Sequence, residues 1–159
     1  MVALSSNGNV VAVGSPASNS SVGNVWIFNN YSGSWQADNN NSPLISFEQE
    51  ANQEQGFSLS LSADGATLAA GIPGYNEGNG AVSVWERKGN LNSPWVETSR
   101  LTGYGNMGNA SIGISVAMSS DGKVIYASGM YDSSNTGAVW RFVKSGAYWT
   151  QQGSLLMLA

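Results

Sequence analysis

The chain contains no cysteine and no histidine. Their absence excludes disulfide bonds, thiolate nucleophiles, imidazole acid–base catalysis and zinc sites of the usual kinds. Charged residues are also scarce: they make up 10% of the sequence, against about 25% in ordinary soluble domains. Asn, Ser and Gly supply the polarity instead, which is typical of extracellular proteins. We therefore predict an extracellular or cell-surface location.

Basic patches and long apolar runs are missing as well. The formal net charge is −4 and the basic residues are scattered, so no nucleic-acid partner is predicted. No apolar run approaches the roughly 20 residues of a membrane-spanning helix, so no membrane span is predicted. The opening residues, MVALSSNGNV, have neither a basic region nor a long apolar core, and a signal peptide is not expected.

Four Asn-X-Ser sequons begin at Asn19, Asn30, Asn40 and Asn109. Each is a candidate glycosylation site. In a chain so rich in Asn and Ser, the alternative is that they occur by chance.

The sequence does contain a repeat of 57 residues. The segment SLSLSADGATLAAGIP has one counterpart near the start, VALSSNGNVVAVGSP, and another near the end, SVAMSSDGKVIYASGM. Three copies of one unit are therefore predicted, at residues 1–57, 58–114 and 115–159. The positions that keep the spacing include Gly8, Gly65 and Gly122; Gly23, Gly80 and Gly137; Val25, Val82 and Val139; Leu44, Leu101 and Leu158; and Phe28, Trp85 and Phe142.

Each unit predicts four β-strands. Asn-Gly or Asp-Gly follows the first strand and favours a two-residue type I′ hairpin turn. The second and third strands are apolar at almost every position, so both faces of the sheet should be covered. The fourth strand begins at a tryptophan and is more polar. Such a sheet is a β-propeller blade, and the predicted fold is all-β with three four-stranded antiparallel blades.

The repeat resembles the FG-GAP repeat of integrin-α-type propellers, especially its short bacterial form. That form reads Phe-Gly-x-Ser-Val, Ser-x-Asp-Gly, Leu-Ala-x-Gly-Ala-Pro and Gly-Ala-Val-x-Val-Phe, compared with GFSLSLSADGATLAAGIP and GAVSVWER in this chain. Gly56 and Phe57 invert the first pair, and Ile72 replaces an alanine. The resemblance implies propeller blades from a secreted or cell-surface protein that takes part in protein binding or cell adhesion.

Some FG-GAP proteins hold calcium in the first hairpin through an Asp-x-Asp-x-Asp-Gly run. The corresponding loops here are SSNG, SADG and SSDG, with at most one carboxylate each. Calcium requires six to eight oxygen ligands. Asp64 and Asp121 are therefore predicted to be turn residues, and no metal or other cofactor is expected.

These patterns favour a non-catalytic binding or assembly module. The candidate ligand contacts lie in the loops between the second and third strands, where an aromatic ring beside polar groups suits a carbohydrate or a peptide. The alternative is that turn-rich loops collect such residues without binding anything. The candidate residues are Tyr75, Asn76, Glu77, Tyr131 and Asp132.

Two other functions stay open. One is a purely structural or engineered propeller fragment that assembles with itself. The other is a carboxylate-dependent hydrolase that uses Glu48, Glu50 and Glu54, since glycosidases work with paired carboxylates. The prediction that the chain is not an enzyme rests on the absence of a second acidic cluster in the other repeats.

Three blades are too few to close a ring, because propellers close with roughly four to eight. The two end blades should each expose an apolar face, on strands that include Val25, Ile27, Val139 and Phe142. The predicted partner is therefore a second copy of the chain, in a dimer that closes six blades, or the further blades of a longer chain.

Overall fold

The structure, a computed structural model, describes residues 1–38, 41–153 and 156–157. It consists of three antiparallel sheets whose first four strands follow one another in chain order. This confirms the predicted all-β fold with three four-stranded antiparallel blades. None of the helices in the described ranges is long and apolar enough to cross a membrane.

The strands are numbered β1 to β13 along the chain, and each group of four forms one blade. Blade 1 contains β1 (Val2–Leu4), β2 (Val10–Ser15), β3 (Asn24–Tyr31) and β4 (Ser34–Ala37). Blade 2 contains β5 (Leu59–Leu61), β6 (Thr67–Ile72), β7 (Ala81–Glu86) and β8 (Val96–Leu101). Blade 3 contains β9 (Ser115–Met118), β10 (Val124–Gly129), β11 (Ala138–Ser145) and β12 (Tyr148–Gln151), and β13 (Leu156–Met157) also pairs with β11.

The outermost strand of blade 1 is short. Strand β4 ends at Ala37, and the chain returns to β3 at Leu44 through an isolated bridge to Val25. The intervening segment contains Pro43, which has no N–H to donate to a neighbouring strand. Asn40, which begins one of the four sequons, and Leu158, one of the repeated leucines, lie outside the described residues.

The first hairpin turn differs from the predicted type I′. In blade 2 the Gly65 N–H donates to the Ser62 carbonyl at 3.0 Å and the Ser62 N–H donates to the Thr67 carbonyl at 2.9 Å. Within this fully described turn the positive φ belongs to Gly65, at 68°, and not to Asp64. The loop is therefore a four-residue turn, Ser62 to Gly65, whose last residue is a left-handed glycine.

Asp64 explains the change of turn type. Its Oδ1 accepts hydrogen bonds from the Ser62 hydroxyl at 2.6 Å and the Ala66 N–H at 3.0 Å. An Asp side chain that bonds the backbone two residues on stabilises this wider turn. Asn7 and Asp121 make the equivalent bonds in the other two blades. All three residues thus act as turn residues.

Burial differs between the middle blade and the end blades. Strands β6 and β7 are buried at almost every position, because blade 2 has a neighbour on each face. Strands β2, β3, β10 and β11 mostly alternate between more and less buried positions. The predicted identity of the exposed residues needs correction: Val25, Ile27 and Phe142 are buried, because they lie on the faces that point toward blade 2.

Two apolar clusters join the blades. The cluster between blades 1 and 2 contains Trp85 and Trp95, and the cluster between blades 2 and 3 contains Trp140. Arg87 crosses the first boundary: it bonds Asn29 and Asp38 of blade 1 at 3.1 Å and lies 4.9 Å from the centre of the Trp95 ring. Burial lowers the pKa of the Arg87 guanidinium, and the charge of Asp38 opposes that shift.

The loops between the second and third strands share an unusual conformation. Each contains a four-residue helical turn: Ser18–Ser21, Tyr75–Gly78 and Asp132–Asn135. The last three residues of each turn have positive φ, for example 50° at Asn76, 56° at Glu77 and 89° at Gly78. This left-handed turn presents its carbonyls to the segment that leads to the next blade, where the Ser111 N–H bonds the Gly78 carbonyl at 2.9 Å.

Candidate functional site

An open cleft of about 290 Å³ lies beside the outer strand of blade 2. Three parts of the chain form it: the segment between β4 and β5, the turn between β6 and β7, and strand β8. The lining residues are Phe47, Glu48, Tyr75, Glu97, Thr98, Ser99 and Arg100.

One guanidinium holds two carboxylates in this cleft. Arg100 Nη1 lies 2.5 Å from Glu48 Oε2, and Arg100 Nη2 lies 3.1 Å from Glu97 Oε1. The two carboxylates differ in environment: the Glu97 side chain is 3% exposed, whereas that of Glu48 is 62% exposed. Glu97 is therefore a buried anchor, and Glu48 is available to a molecule in the cleft.

A β-bulge brings Glu97 and Arg100 together. Residues three apart on a regular strand point to opposite faces. In β8 the pairing with β7 shifts between Val84 and Trp85, so that Thr98 has no partner in the register. The extra residue turns Glu97 and Arg100 to the same face, as bulges do when they redirect a side chain.

Tyr75 completes the network around Glu48. Its hydroxyl donates to Glu48 Oε2 at 3.0 Å, and the Arg100 guanidinium carbon lies 4.9 Å from the centre of its ring. Burial by itself would lower the pKa of Arg100, but the charge of Glu97, the hydrogen bonds of Arg100 with Tyr75 and Glu97, and the charge of Glu48 raise it above its usual range. Arg100 therefore remains a cation beside Glu48 at any ordinary pH.

Two buried glutamines position the segment that carries Glu48. Gln55 Oε1 accepts from the Ser46 N–H at 2.9 Å. Gln53, with its amide oriented to satisfy both of its polar atoms, donates to the Glu48 carbonyl at 2.8 Å and accepts from the Glu50 N–H at 3.3 Å. Glu97 also bonds the Phe47 N–H at 3.1 Å. These bonds hold an otherwise irregular segment against blade 2.

A second cleft, of about 430 Å³, lies on the other side of Tyr75. Asn106 Nδ2 donates to Asn79 Oδ1 at 3.3 Å, and Asn79 Nδ2 donates to the Asn76 carbonyl at 3.0 Å. Amide and hydroxyl groups of this kind bind the hydroxyl groups of a polar, uncharged ligand. The lining residues are Tyr75, Asn76, Asn79, Gly80, Thr102, Gly103, Asn106 and Ile112.

The structure separates the predicted ligand contacts into two groups. Tyr75 and Asn76 share the second cleft, and Glu77 is exposed next to them. Tyr131 and Asp132 line neither of the two clefts that contain Tyr75. Asp132 is completely buried, and its Oδ1 accepts from the Met107 N–H at 2.6 Å. Asp132 begins its turn at the position that Tyr75 occupies in blade 2, so Tyr131 is not the counterpart of Tyr75.

The structure also separates the three carboxylates predicted for a hydrolase. Glu48 lines the cleft, but Glu50 and Glu54 do not. The second carboxylate is Glu97, which sequence reasoning missed together with Arg100. The one signal in the sequence was the run of polar residues in WVETSRL, and it does not reveal the bulge. Among the described residues no group of three or more acidic side chains is placed to hold a metal ion.

No protein-family model matches this chain, and no curated protein is similar to it. Solved structures are similar in fold. One is a proposed 6-phosphogluconolactonase from Bacteroides fragilis, with a TM-score of 0.67 and 16% identity over 99% of this chain and 38% of that one. Another is a proposed 6-phosphogluconolactonase from Bacteroides uniformis, with a TM-score of 0.52 and 18% identity over 98% of this chain and 38% of that one.

These neighbours contradict the prediction of a non-catalytic binding, adhesion or assembly module, and with it the prediction that the chain is not an enzyme. A lactonase is a hydrolase, which is the enzyme class of the alternative prediction. The likeness itself, at 16% and 18% identity, shows the fold. This chain spans about 38% of the length of either neighbour. The FG-GAP resemblance, the location and the glycosylation sites stay predictions.

Proposed function

We propose that the chain carries a hydrolase site for a sugar lactone, with Glu48 as the general base. The observation that carries the proposal is an exposed carboxylate, Glu48, held in an open cleft by a guanidinium and a tyrosine hydroxyl. The names of the structural neighbours support the substrate class. General bases must lie within hydrogen-bond reach of the proton that they remove, and a water molecule in this cleft could contact the free oxygen of Glu48.

The proposed reaction opens the lactone ring. Glu48 removes a proton from water as the water oxygen attacks the lactone carbonyl carbon, and the carbonyl oxygen becomes an oxyanion. When this tetrahedral intermediate collapses, the bond from the carbonyl carbon to the ring oxygen breaks. The ring oxygen leaves as a hydroxyl group after it takes the proton back from Glu48. Arg100 stabilises the negative charge that develops, and Glu97 positions Arg100.

We further propose that the substrate is an uncharged lactone. Glu48 and Glu97 give two negative charges against the one positive charge of Arg100, which is the sole cation among the described residues that line the cleft. A phosphate group would meet this net negative charge. The neighbouring cleft, with Asn76, Asn79 and Asn106, suits the hydroxyl groups of a neutral sugar. An unfavourable charge contact of about 1.4 kcal/mol lowers the specificity constant about tenfold.

The test is a pH-stat assay of gluconolactone and its phosphorylated form, with the rate of spontaneous hydrolysis subtracted. We expect E48Q to lower kcat/KM by at least about 100-fold, within the range of general base catalysis. E50Q is the matched control, because Glu50 lies in the same segment but does not line the cleft. The kcat/KM of E50Q should stay within about twofold of the wild-type value. Absence of turnover by the wild type, or equal turnover by E48Q, would overturn the proposal.

A further inference from the structure

The face of blade 1 that points away from blade 2, called here its outer face, is an apolar surface that none of the described residues covers. The outer face of blade 3 is likewise the face that points away from blade 2. Val2 and Leu4 of β1 are 67% and 58% exposed. The register places Val13 and Trp26 beside Val2, and it places Val11 and Phe28 beside Leu4, all on the same face. Large contiguous apolar patches on a folded protein mark surfaces that another element covers.

The repeat identifies what fits this surface. In blade 2 the equivalent positions, 57 residues on, are occupied by Leu59, Leu61, Leu68, Ala70 and Trp85, together with Ser83. The five apolar side chains belong to or pack against the cluster that joins blade 2 to the opposite face of blade 1. That opposite face carries Val10, Ala12, Val25, Ile27 and Leu44. Blade 2 thus uses the face equivalent to the outer face of blade 1 to pack against the opposite face of the blade before it. The opposite face of another blade is therefore what fits the outer face of blade 1.

Blade 3 presents such a face, and none of the described residues covers it. Val124 and Val139 occupy the positions of Val10 and Val25, and both are half-buried. Tyr126 occupies the position of Ala12 and is 39% exposed. Arg141 occupies the position of Ile27, and the aromatic rings on the outer face of blade 1 are the kind of partner on which a guanidinium stacks.

Backbone hydrogen bonds that run from each blade to the next give the direction of docking. The Ser6 N–H of blade 1 donates to the Ala63 carbonyl of blade 2 at 3.0 Å. The Ala63 N–H donates in turn to the Ser120 carbonyl of blade 3 at 2.9 Å. In the same register, the Ser120 N–H would donate to the Ser6 carbonyl of a blade 1 that follows blade 3.

We propose that a second copy of this chain docks head to tail, with the outer face of its blade 1 on the outer face of blade 3. One chain carries both matching surfaces, so a pair of chains covers all four uncovered faces at once. The pair contains six blades, which lies within the range of roughly four to eight at which propellers close.

Sedimentation equilibrium of the purified chain over a wide dilution series tests the proposal. We expect twice the chain mass of 16.6 kDa at micromolar concentration. V11E and V139E each place a charge on one of the two docking faces, and each should weaken dimerisation by at least about 100-fold. M107E is the matched control, because Met107 is exposed and lies in the segment between β8 and β9, outside the strands that form the two faces. It should leave the dissociation constant unchanged.

A mixture of V11E and V139E provides a second test. Each variant keeps the face that the other has lost, so the mixture should form a dimer through one intact contact. Should either variant fail to fold by circular dichroism, the contact can be probed in the otherwise cysteine-free chain. The double variant S6C and S120C should then give an intermolecular product with a short bismaleimide, and neither single variant should. A folded wild-type monomer at micromolar concentration, or growth into open polymers, would overturn the proposal, and the former would indicate that further blades of a longer chain cover these faces.

Discussion

At the scale of single residues, three equivalent turn positions accept the same pair of hydrogen bonds, with asparagine at one position and aspartate at two. Asn7, Asp64 and Asp121 each accept one hydrogen bond from the serine two residues before and one from the N–H two residues after. The bond from the Ser62 hydroxyl lowers the pKa of Asp64, partial burial opposes it, and the Ala66 N–H lowers it further. The charge of the aspartate is thus not required by the turn, but it makes the turn sensitive to acid.

The variants D64N and D64A separate these two contributions. D64N should have the stability of the wild type at pH 7, because Asn7 already supports an equivalent turn. D64A should lose about 0.5–1 kcal/mol of unfolding free energy, the value of an exposed hydrogen-bonded group. Because the folded-state pKa of Asp64 is lowered, its contribution is present above the unfolded pKa of about 3.9 and is lost as the pH falls through the folded value.

Urea unfolding at pH 7 and pH 3 measures the effect. The wild type should lose stability relative to D64N on acidification. N7A serves as the control, since it removes the same kind of turn bond without removing a titratable group, and its effect should not depend on Asp64 ionisation. A difference between the wild type and D64N that is the same at both pH values would show that the Asp64 charge contributes nothing.

At the scale of secondary-structure elements, the connecting segments are packed as tightly as the strands. Each passes between the second strands of two consecutive blades, and it requires glycine on both sides of the contact. A Cβ atom on Gly71, at the end of β6, would lie 1.9 Å from the Gly113 carbonyl oxygen. Gly14 of blade 1 has the same relation to Gly56, at 2.0 Å. Glycine at these positions therefore sets how closely successive blades can stack.

G71A and G8A should differ strongly in stability for this reason. The Gly71 contact is with backbone that cannot rotate away, so we expect G71A to cost at least about 2–3 kcal/mol. Gly8, unlike Gly71, has a positive φ, of 71°, and a Cβ there would meet nothing within 4 Å. G8A should therefore cost only the left-handed backbone strain of about 1 kcal/mol. Chemical denaturation compares the two variants. Equal losses would mean that the connecting segment moves aside easily.

At the scale of the whole molecule, stability should be unevenly distributed among the blades. Blade 2 is covered on both faces, and each end blade is covered on one. Local opening is easiest where few apolar side chains are buried. The central strands β6 and β7 should thus be the most stable part of the chain in its monomeric form.

Amide hydrogen exchange checks this distribution. In dilute solution, exchange should be slowest in β6 and β7, and faster in β2, β3, β10 and β11. At concentrations that favour the head-to-tail pair, the strands of the end blades should gain protection and approach those of blade 2. Protection in β2 or β11 that equals that of β6 at high dilution would contradict this picture of the blades.

The sequence by itself determined the repeat, the number of blades and the places of the turns. These features depend on residues that are neighbours in the chain: alternating apolar runs, Asp-Gly or Asn-Gly pairs, and glycines 57 residues apart. The predicted type I′ turn was nevertheless wrong, because the hydrogen bonds of the Asp64 side chain favour a wider turn than the Asp-Gly dipeptide alone predicts.

Only the tertiary structure decided the site. Glu48, Tyr75 and Arg100 come from three separate segments, and their meeting depends on how the segment between blades packs against blade 2. Glu97 joins Arg100 on one face because a bulge adds a residue to β8, and no local pattern shows that shift. Asp132 likewise resembled a ligand contact in the sequence and is a buried anchor in the fold. The physical reason is that local propensity places strands and turns, whereas register and packing decide which distant side chains come into contact.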